Sequence, residues 1–149
     1  MPTSLIKGRV VRIELRRPND EKILLIETER HSSFDWEMPG GKVEPNETVM
    51  QAALRELWEE TRLRAKLRLI RYARRAIPQN PNIFWEHYMF TGLYSGGVIQ
   101  LESPVAEHHW SSVTEALHQC TDWWTKHYLS SIRLSTSPCK CCLRWRLCL

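Results

Sequence analysis

The sequence lacks any long apolar run, and it lacks cysteines spread through its length. No stretch of about 18 uncharged apolar residues occurs, which excludes a helix that spans a membrane. Lysine and arginine interrupt the first segment, MPTSLIKGRVVRIELRR, before an apolar block forms, so we expect no secretory signal and a cytoplasmic protein. Four of the five cysteines fall within the last eleven residues, and this crowding argues against the disulfide framework of a small secreted domain.

The chain also lacks a strong charge of either sign. Its formal net charge is +4 over 149 residues, which does not predict a stable nucleic-acid partner and is compatible with a small anionic ligand. With 42% hydrophobic residues, the chain is long enough for one domain with a buried core. We predict this domain over residues 1–132 and a flexible, Cys-rich tail over residues 133–149.

The tail, RLSTSPCKCCLRWRLCL, shows no helix or strand periodicity. Its thiol groups could bind a soft metal such as zinc, but their spacing matches no familiar zinc motif. The final RLCL does not fit a prenylation signal. We therefore favour an unstructured, oxidisable tail that contains Cys139, Cys141, Cys142 and Cys148.

Hydrophobic alternation and turn residues predict strands before and after a central helix. Strands are predicted over residues 11–15, 22–29, 63–77, 83–94 and 108–112, with a short extended segment over residues 42–44. Residues 31–41 are predicted to form a loop, and residues 113–132 one continuous helix. The central helix covers residues 49–61 and begins after Thr48, which has capping-box spacing with Gln51. This order of elements predicts an α/β layered domain.

Three glutamates crowd into the second half of the central helix. Glu56, Glu59 and Glu60 have the i, i+3 and i+4 spacing that places side chains on one face, where each close pair repels. A compensating cation would explain the cluster, and hard carboxylate oxygens select Mg²⁺ or Mn²⁺. The alternative is a solvated acidic face balanced by neighbouring arginines, and the spacing alone favours it.

The sequence around these glutamates decides between the two interpretations. A long fixed pattern begins at Gly41: five residues separate it from Glu47, and seven more separate Glu47 from RELWEE at residues 55–60. The segment WEMPGGKVE at residues 36–44 leads into this pattern. Through this pattern the chain resembles the Nudix hydrolases of the MutT type. The resemblance implies the Nudix α/β/α sandwich, with a mixed sheet between helices. It also implies hydrolysis of a nucleoside diphosphate linked to another group.

Two positions depart from the pattern of that family. Asn46 stands where the family often has glycine, and asparagine tolerates the same turn geometry. Arg62 stands where glycine normally follows the helix, so a left-handed backbone there would cost about 1–2 kcal/mol. The alternative is a helix that continues for another turn.

The resemblance implies roles for particular residues. Glu59 and Glu60 would be direct metal ligands, with Glu59 also counted among the catalytic residues, and Glu56 a ligand or the general base. Gly41 would offer its backbone carbonyl to the cation. Arg55 would orient the glutamates together with Glu47; an ordinary surface pair is the alternative.

A further metal-binding carboxylate is expected from the segment LESPVAEHHW. Glu107 is the first candidate and Glu102 the second. His108 and His109 could contact phosphate or act as bases near neutral pH. The alternative for this group is a polar loop beside a buried Trp110.

Aromatic residues on the predicted strand 83–94 could stack against a nucleobase. Trp85 and Tyr88 are the candidates, and Phe84 lies beside them, but alternation sends some of the three into the core. Arg74 and Arg75 could contact phosphate, although a solvated face is the simpler interpretation.

The substrate favoured by this evidence is a nucleoside triphosphate, cleaved to the monophosphate and pyrophosphate with Mg²⁺, for which Mn²⁺ could substitute. Alternatives are a nucleotide sugar or ADP-ribose, a dinucleoside polyphosphate, a capped RNA end, or a regulatory module that binds nucleotides without cleaving them. The partner expected is this small nucleotide, with no membrane and no stable nucleic acid. A homodimer is left open.

Overall fold

A computed structural model describes residues 4–30 and 33–135 of the chain. The elements in chain order are β1 (Leu5–Arg16), β2 (Ile23–Arg30), β3 (Ser33–Glu37), β4 (Gly40–Lys42), α1 (Val49–Thr61), β5 (Arg68–Ile77), β6 (Asn80–Leu93), β7 (Val105–Ser111), α2 (Val113–Gln119) and α3 (Trp123–Ser135). No helix in these described ranges is both long enough and apolar enough to cross a membrane.

The strands form one mixed sheet of seven strands. Its main path is β3-β2-β1-β6-β5, while β4 pairs with β1 and β7 pairs with β2. The long central pair, β1 and β6, is parallel, and the other pairs are antiparallel. The predicted mixed sheet is therefore confirmed.

Alternation along the strands gives the sheet an apolar layer on each face. On one face the odd-numbered side chains Val11, Ile13 and Leu15 pack with residues of α1 such as Leu57. On the opposite face a second cluster includes side chains of β2, β6, α2 and α3: Ile23, Leu25, Met89, Ala116, Trp124 and Leu129. The sheet thus lies between helices, and the predicted α/β/α sandwich is confirmed.

Local capping interactions define both ends of helix α1. The Thr48 side chain accepts from the Gln51 backbone N–H, and the Gln51 side chain accepts from the Thr48 N–H, so the predicted capping box is confirmed. At the other end Arg62 adopts φ 59° and ψ 15°, the left-handed conformation, and donates its backbone N–H to the Trp58 carbonyl. The helix therefore stops at this position and does not continue for another turn.

Two predictions about regular structure were wrong. The segment predicted as a loop contains strand β3, because residues 33–37 pair antiparallel with residues 26–30 of β2. The single helix predicted for residues 113–132 is two helices, α2 and α3. Cys120 between them is extended, and the Asp122 carboxylate accepts a hydrogen bond from the Thr125 backbone N–H, which starts a new helix.

The limits of several other strands also differ from the prediction, and β1 begins at Leu5, six residues earlier than predicted. Strand β5 begins at Arg68 and not at residue 63, because Leu63 is buried against the α1 layer directly after the helix cap. Strand β7 begins at Val105, three residues earlier than predicted. Helix α3 continues to Ser135, and the four cysteines of the tail lie outside the described residues. The limits of the domain and of the tail stay predictions.

Candidate active site

Gly40 and Gly41 bring the backbone of β4 close to helix α1. Gly40 has φ 149°, and a Cβ there would overlap the Val11 carbonyl oxygen of β1. A Cβ on Gly41 would overlap the carboxylate of Glu56. Glycine is needed at position 40 because any side chain would push strand β4 away from β1, whereas a side chain at position 41 would displace the Glu56 carboxylate. The glutamates of α1 therefore lie against backbone groups.

Arg55 holds three of the glutamates together. Its Nε and Nη2 donate to the two oxygens of Glu47, at 3.1 and 2.7 Å, in a bidentate pair. Its Nη1 donates to Glu56 Oε1 and to Glu59 Oε2, both at 3.0 Å. Nη2 also donates to the carbonyl oxygen of Lys42 in β4, at 3.1 Å. A single guanidinium thus fixes carboxylates that would otherwise repel one another.

Glu60 lies deepest in the group. Its Oε2 accepts a hydrogen bond of 2.8 Å from the Gly40 backbone N–H. Burial raises the pKa of Glu60 to about 8, although the Gly40 N–H and the Arg12 guanidinium oppose the shift. Burial also raises the pKa of Glu56, opposed by Arg55. Carboxylates in such surroundings ionise readily only beside a cation.

The donor set fits a hard divalent cation. The carboxylates of Glu56, Glu59 and Glu60 line one cleft together with Gly41, and oxygen donors of this kind suit Mg²⁺ and Mn²⁺. Within residues 4–30 and 33–135, no group of three acidic, histidine or cysteine side chains is arranged so that it could hold a metal ion by itself. Mg²⁺ does not need one, since it keeps several waters and binds through one or two carboxylates and substrate phosphates. The residues present therefore fit this ion.

These glutamates form one wall of a cleft of about 750 Å³. We call it the acidic cleft. Its opposite wall comes from the end of β2 and from the loop before β7, with Glu29, Glu102, Ser103 and Pro104. Glu102 lines the cleft, whereas Glu107 lies on β7 opposite Glu27 and is not among the lining residues. The structure thus brings the second predicted carboxylate to the glutamates, not the first.

Neither histidine of β7 reaches the acidic cleft. His108 is exposed opposite Ile26 of β2. His109 has its ring edge on Trp36, with centroids 4.2 Å apart, and its Nε2 lies 2.9 Å from Gln119 Oε1. Trp110 packs against the α1 layer. The histidines therefore lie on a strand and not in the polar loop named as the alternative, and Trp110 beside them is only partly buried.

A second pocket, of about 410 Å³, lies on the face of the sheet that carries α3. We call it the tryptophan pocket. Trp85 of β6 and Trp123 of α3 line it, and cations sit over both rings: Lys42 Nζ is 5.6 Å from the centroid of Trp85, and Arg75 Cζ is 4.7 Å from that of Trp123. Tyr88 lies on the opposite face, where its hydroxyl donates to Glu86. Of the two predicted stacking residues, only Trp85 lines this pocket.

The floor of the tryptophan pocket is polar. Arg12 Nη2 pairs with Glu37 at 2.6 Å, and Arg12 Nε lies 3.8 Å from Asp122. Several buried polar atoms find no hydrogen-bond partner within the described part of the chain: Arg12 Nε, Asp122 Oδ1, Trp124 Nε1 and both ring nitrogens of His87. Buried polar groups are normally satisfied. The sequence analysis did not identify these residues, although a charged Arg12 between Val11 and Ile13 was a visible signal.

The ring of His87 gives the domain a dependence on pH. Burial, together with the nearby charges of Arg12 and Arg75, lowers the pKa of His87 from its ordinary value of 6.5 to about 4. As the pH falls, the unfolded chain therefore binds a proton at this side chain near pH 6.5, whereas the folded chain binds it only near pH 4. The contribution of His87 to the free energy of unfolding is fully present above pH 6.5 and is lost as the pH falls from 6.5 to about 4.

We expect the loss between pH 7 and pH 4.5 to be about 1–2 kcal/mol, after discounting for the partial exposure of the side chain. Urea unfolding at both values measures it, with His87→Gln as the comparison. The variant should lose less stability than the wild type over the same interval. Equal losses in the two proteins would contradict the assignment to His87.

Comparison with known proteins agrees with this geometry. The family model described as the NUDIX domain matches residues 7–132. Diphosphoinositol polyphosphate phosphohydrolase 3-alpha of Mus musculus is 28% identical over 138 residues, which cover 89% of this chain and 81% of that protein. The MutT protein of Methanosarcina mazei Go1 is 19% identical, with a TM-score of 0.71, and the superposition covers 89% of this chain and 97% of that one.

Other curated relatives match over shorter segments. A Bacillus subtilis protein, provisionally named 8-oxo-dGTP diphosphatase, is 39% identical over 62 residues, which are 42% of this chain and 39% of the relative's length. The chain thus spans well under half of this relative. The family model nevertheless covers most of the chain, including the glycines, Arg55 and the glutamates of α1. The chain belongs to the Nudix family, and its NUDIX domain covers residues 7–132.

Proposed function

We propose that this protein is a Mg²⁺-dependent pyrophosphohydrolase that converts a nucleoside triphosphate to the monophosphate and pyrophosphate. The observation that carries the proposal is one wall of a cleft on which Arg55 bonds both Glu56 and Glu59. On the same wall Glu60 accepts from the Gly40 N–H, and Glu56 lies against Gly41. Such a wall suits cleavage of a diphosphate, whose negative charge must be neutralised before water can attack phosphorus.

The chain's own residues divide this work. Glu59 and Glu60, with the carbonyl group of Gly41, would hold Mg²⁺, for which Mn²⁺ could substitute; the bound ion supplies charge neutralisation and a more acidic water. Glu56 is the proposed general base, since one of its oxygens is occupied by Arg55 and burial raises its pKa. Arg55, anchored by Glu47, keeps these carboxylates in position.

The tryptophan pocket supports a nucleoside as the other part of the substrate. Trp85 and Trp123 bring two indole rings to its lining, against which a base could stack in place of the cations that lie over them. The unpartnered polar atoms beneath them could bond the edge of that base. Lys42 connects the pocket to the active site, because its side chain lines the pocket while its carbonyl group accepts from Arg55. The cations over both rings disfavour a positively charged base, so a methylated RNA cap fits this pocket poorly.

A second candidate substrate is a ring that carries many phosphates. Lys7, Lys42 and Arg75 surround the same pocket and could bind phosphate groups in place of a base. The mouse relative is named for a diphosphoinositol polyphosphate. We rank this candidate second because a polyphosphorylated, non-aromatic ring would make no use of the two indole faces.

A panel assay with Mg²⁺ tests the proposal. It compares canonical and oxidised nucleoside triphosphates, ADP-ribose, a nucleotide sugar, diadenosine tetraphosphate and an inositol pyrophosphate, with phosphate detected after coupling enzymes. We expect the highest kcat/KM for a nucleoside triphosphate, with pyrophosphate as the direct product. In Trp123→Ala, KM for that substrate should rise about tenfold, because a stacked base is worth about 1–3 kcal/mol.

Two results would contradict the proposal. A preference for the inositol pyrophosphate, with no effect of Trp123→Ala, would support the second candidate. Nucleotide binding without turnover of any compound would support a regulatory module. The cytoplasmic location and the homodimer stay predictions.

A further inference from the structure

The lining of the acidic cleft carries far more negative than positive charge. Its lining includes five carboxylates, of Glu29, Glu56, Glu59, Glu60 and Glu102. Arg62 is the only positively charged residue among the described residues that line it. Any phosphate chain that enters the cleft therefore meets one fixed cation of the protein. Electrostatics alone makes this guanidinium the natural protein contact for phosphate oxygens.

The backbone of Arg62 indicates that its side chain contributes something glycine could not. The residue is the C-cap of α1 with φ 59°, a left-handed conformation in which a Cβ is unfavourable. Glycine would adopt this conformation without strain. An arginine at such a position is disfavoured by the helix end itself, so a function for its side chain would explain its presence.

The side chain is directed at the cleft by two contacts. Its Cζ lies 5.3 Å from the ring centroid of Trp58, and its Nη2 pairs with the carboxylate of Glu102. The Arg62 side chain is 26% exposed, but that of Glu102 is 56% exposed. An ion pair with such an exposed partner is weak and can be exchanged. Arg62 is thus held in the cleft by a partner that a phosphate group can replace.

A neighbouring arginine, Arg64, separates the effect of position in the cleft from the effect of charge. Arg64 also lies over Trp58, with its Cζ 4.4 Å from the ring centroid. It does not line the acidic cleft, and the structure records no ion pair with Glu102 for it. The two arginines therefore share charge and a stacking partner and differ in their position relative to the cleft.

From these observations we propose that Arg62 binds the phosphate chain of the substrate, with a phosphate oxygen replacing Glu102 as its partner. The inference rests on the proposed function, because it assigns a phosphate contact within the same site. It gives this chain a specificity determinant for polyphosphates at the position where the sequence departs from the family pattern.

Calorimetry with inorganic tripolyphosphate and Mg²⁺ tests the proposal without any turnover. In Arg62→Gly, we expect the Kd to rise about tenfold, because a charge-assisted hydrogen bond is lost. Arg62→Lys should weaken binding by only about threefold, since it keeps the charge and loses the planar fork. The matched control, Arg64→Gln, should change the Kd less than about twofold, because screened charges outside the cleft contribute little.

A melting temperature separates binding from folding. Glycine relieves the left-handed backbone, so Arg62→Gly should melt at the same temperature as the wild type or higher. Unchanged tripolyphosphate binding in that variant, or an equal loss in Arg64→Gln, would overturn the proposal. So would a wild-type protein that does not bind tripolyphosphate at all.

The experiments distinguish failure of the proposed reaction from failure of the proposed phosphate contact. If the wild type cleaves no nucleotide in the panel but binds tripolyphosphate through Arg62, the reaction is wrong and the phosphate contact stands. If nucleotides are cleaved and Arg62→Gly leaves KM unchanged, the reaction stands and the contact is wrong.

Discussion

Replacing Glu59 by glutamine is expected to lower the turnover of the best substrate by at least about a hundredfold, with little change in stability. The side chain is half exposed on α1, and its Oε2 accepts a hydrogen bond of 3.0 Å from Arg55. Glutamine preserves this shape and this bond but removes the negative charge that would hold Mg²⁺. Loss of several kcal/mol of metal assistance corresponds to at least two powers of ten in rate.

Steady-state kinetics with saturating Mg²⁺ would measure the effect, and Glu44→Gln is the matched control. Glu44 is an exposed glutamate just before the same helix, and it does not line the acidic cleft. Its replacement makes the same chemical change and should leave turnover within about twofold of the wild type, as expected for a surface site. If Glu59→Gln keeps full activity, Glu59 is not a ligand, and the metal would have to be held by Glu56 and Glu60.

The acidic wall could be predicted from the sequence because its geometry is local. Spacings of three and four residues on one helix put side chains on one face whatever the rest of the fold does. The same is true of the start of α1, where Thr48 and Gln51 bond each other's backbone as the spacing predicts. Gly41 and Glu47 also lie within a few residues of this helix. Short-range geometry thus determines most of this wall.

The opposite wall depends on the register between distant strands. Glu102 and Glu107 are five residues apart in sequence, and nothing local distinguishes them as candidates. Strand β7 pairs with β2 and has a register irregularity between Glu27 and Thr28 of β2. This pairing places Glu107 on the strand and leaves Glu102 in the loop at the cleft. The choice therefore required the structure.

The tryptophan pocket is a product of tertiary structure for the same reason. Trp85 belongs to β6 and Trp123 to α3, and both line the pocket because α3 packs on this face of the sheet, where the ring centroid of Trp123 lies 5.1 Å from that of His87 in β6. The predicted continuous helix would have placed Trp123 on a different axis. The break at Cys120 and the cap at Asp122 determine where its indole lies. Alternation did separate Trp85 from Tyr88, but it could not say which face carried the pocket.

Removing the carboxylate of Glu37 is expected to destabilise the domain by about 3–5 kcal/mol, a large share of the stability of a domain this size. Glu37 and Arg12 have side chains that are 1% and 5% exposed, and they pair at 2.6 Å beneath the tryptophan pocket. Glu37→Leu leaves the Arg12 guanidinium buried, with Asp122 at 3.8 Å as its remaining acidic partner. Urea unfolding of the purified variant measures the loss.

Two comparisons show whether burial is the cause. The double variant Arg12→Met with Glu37→Leu removes both charges, and it should recover most of the lost stability. If it is as unstable as Glu37→Leu alone, the cost comes from packing and not from the unpaired charge. The second comparison is Asp20→Asn, which breaks the pair between Arg17 and Asp20, also at 2.6 Å but with side chains 33% and 37% exposed. Because the two distances are equal, a much smaller effect there would assign the difference to desolvation.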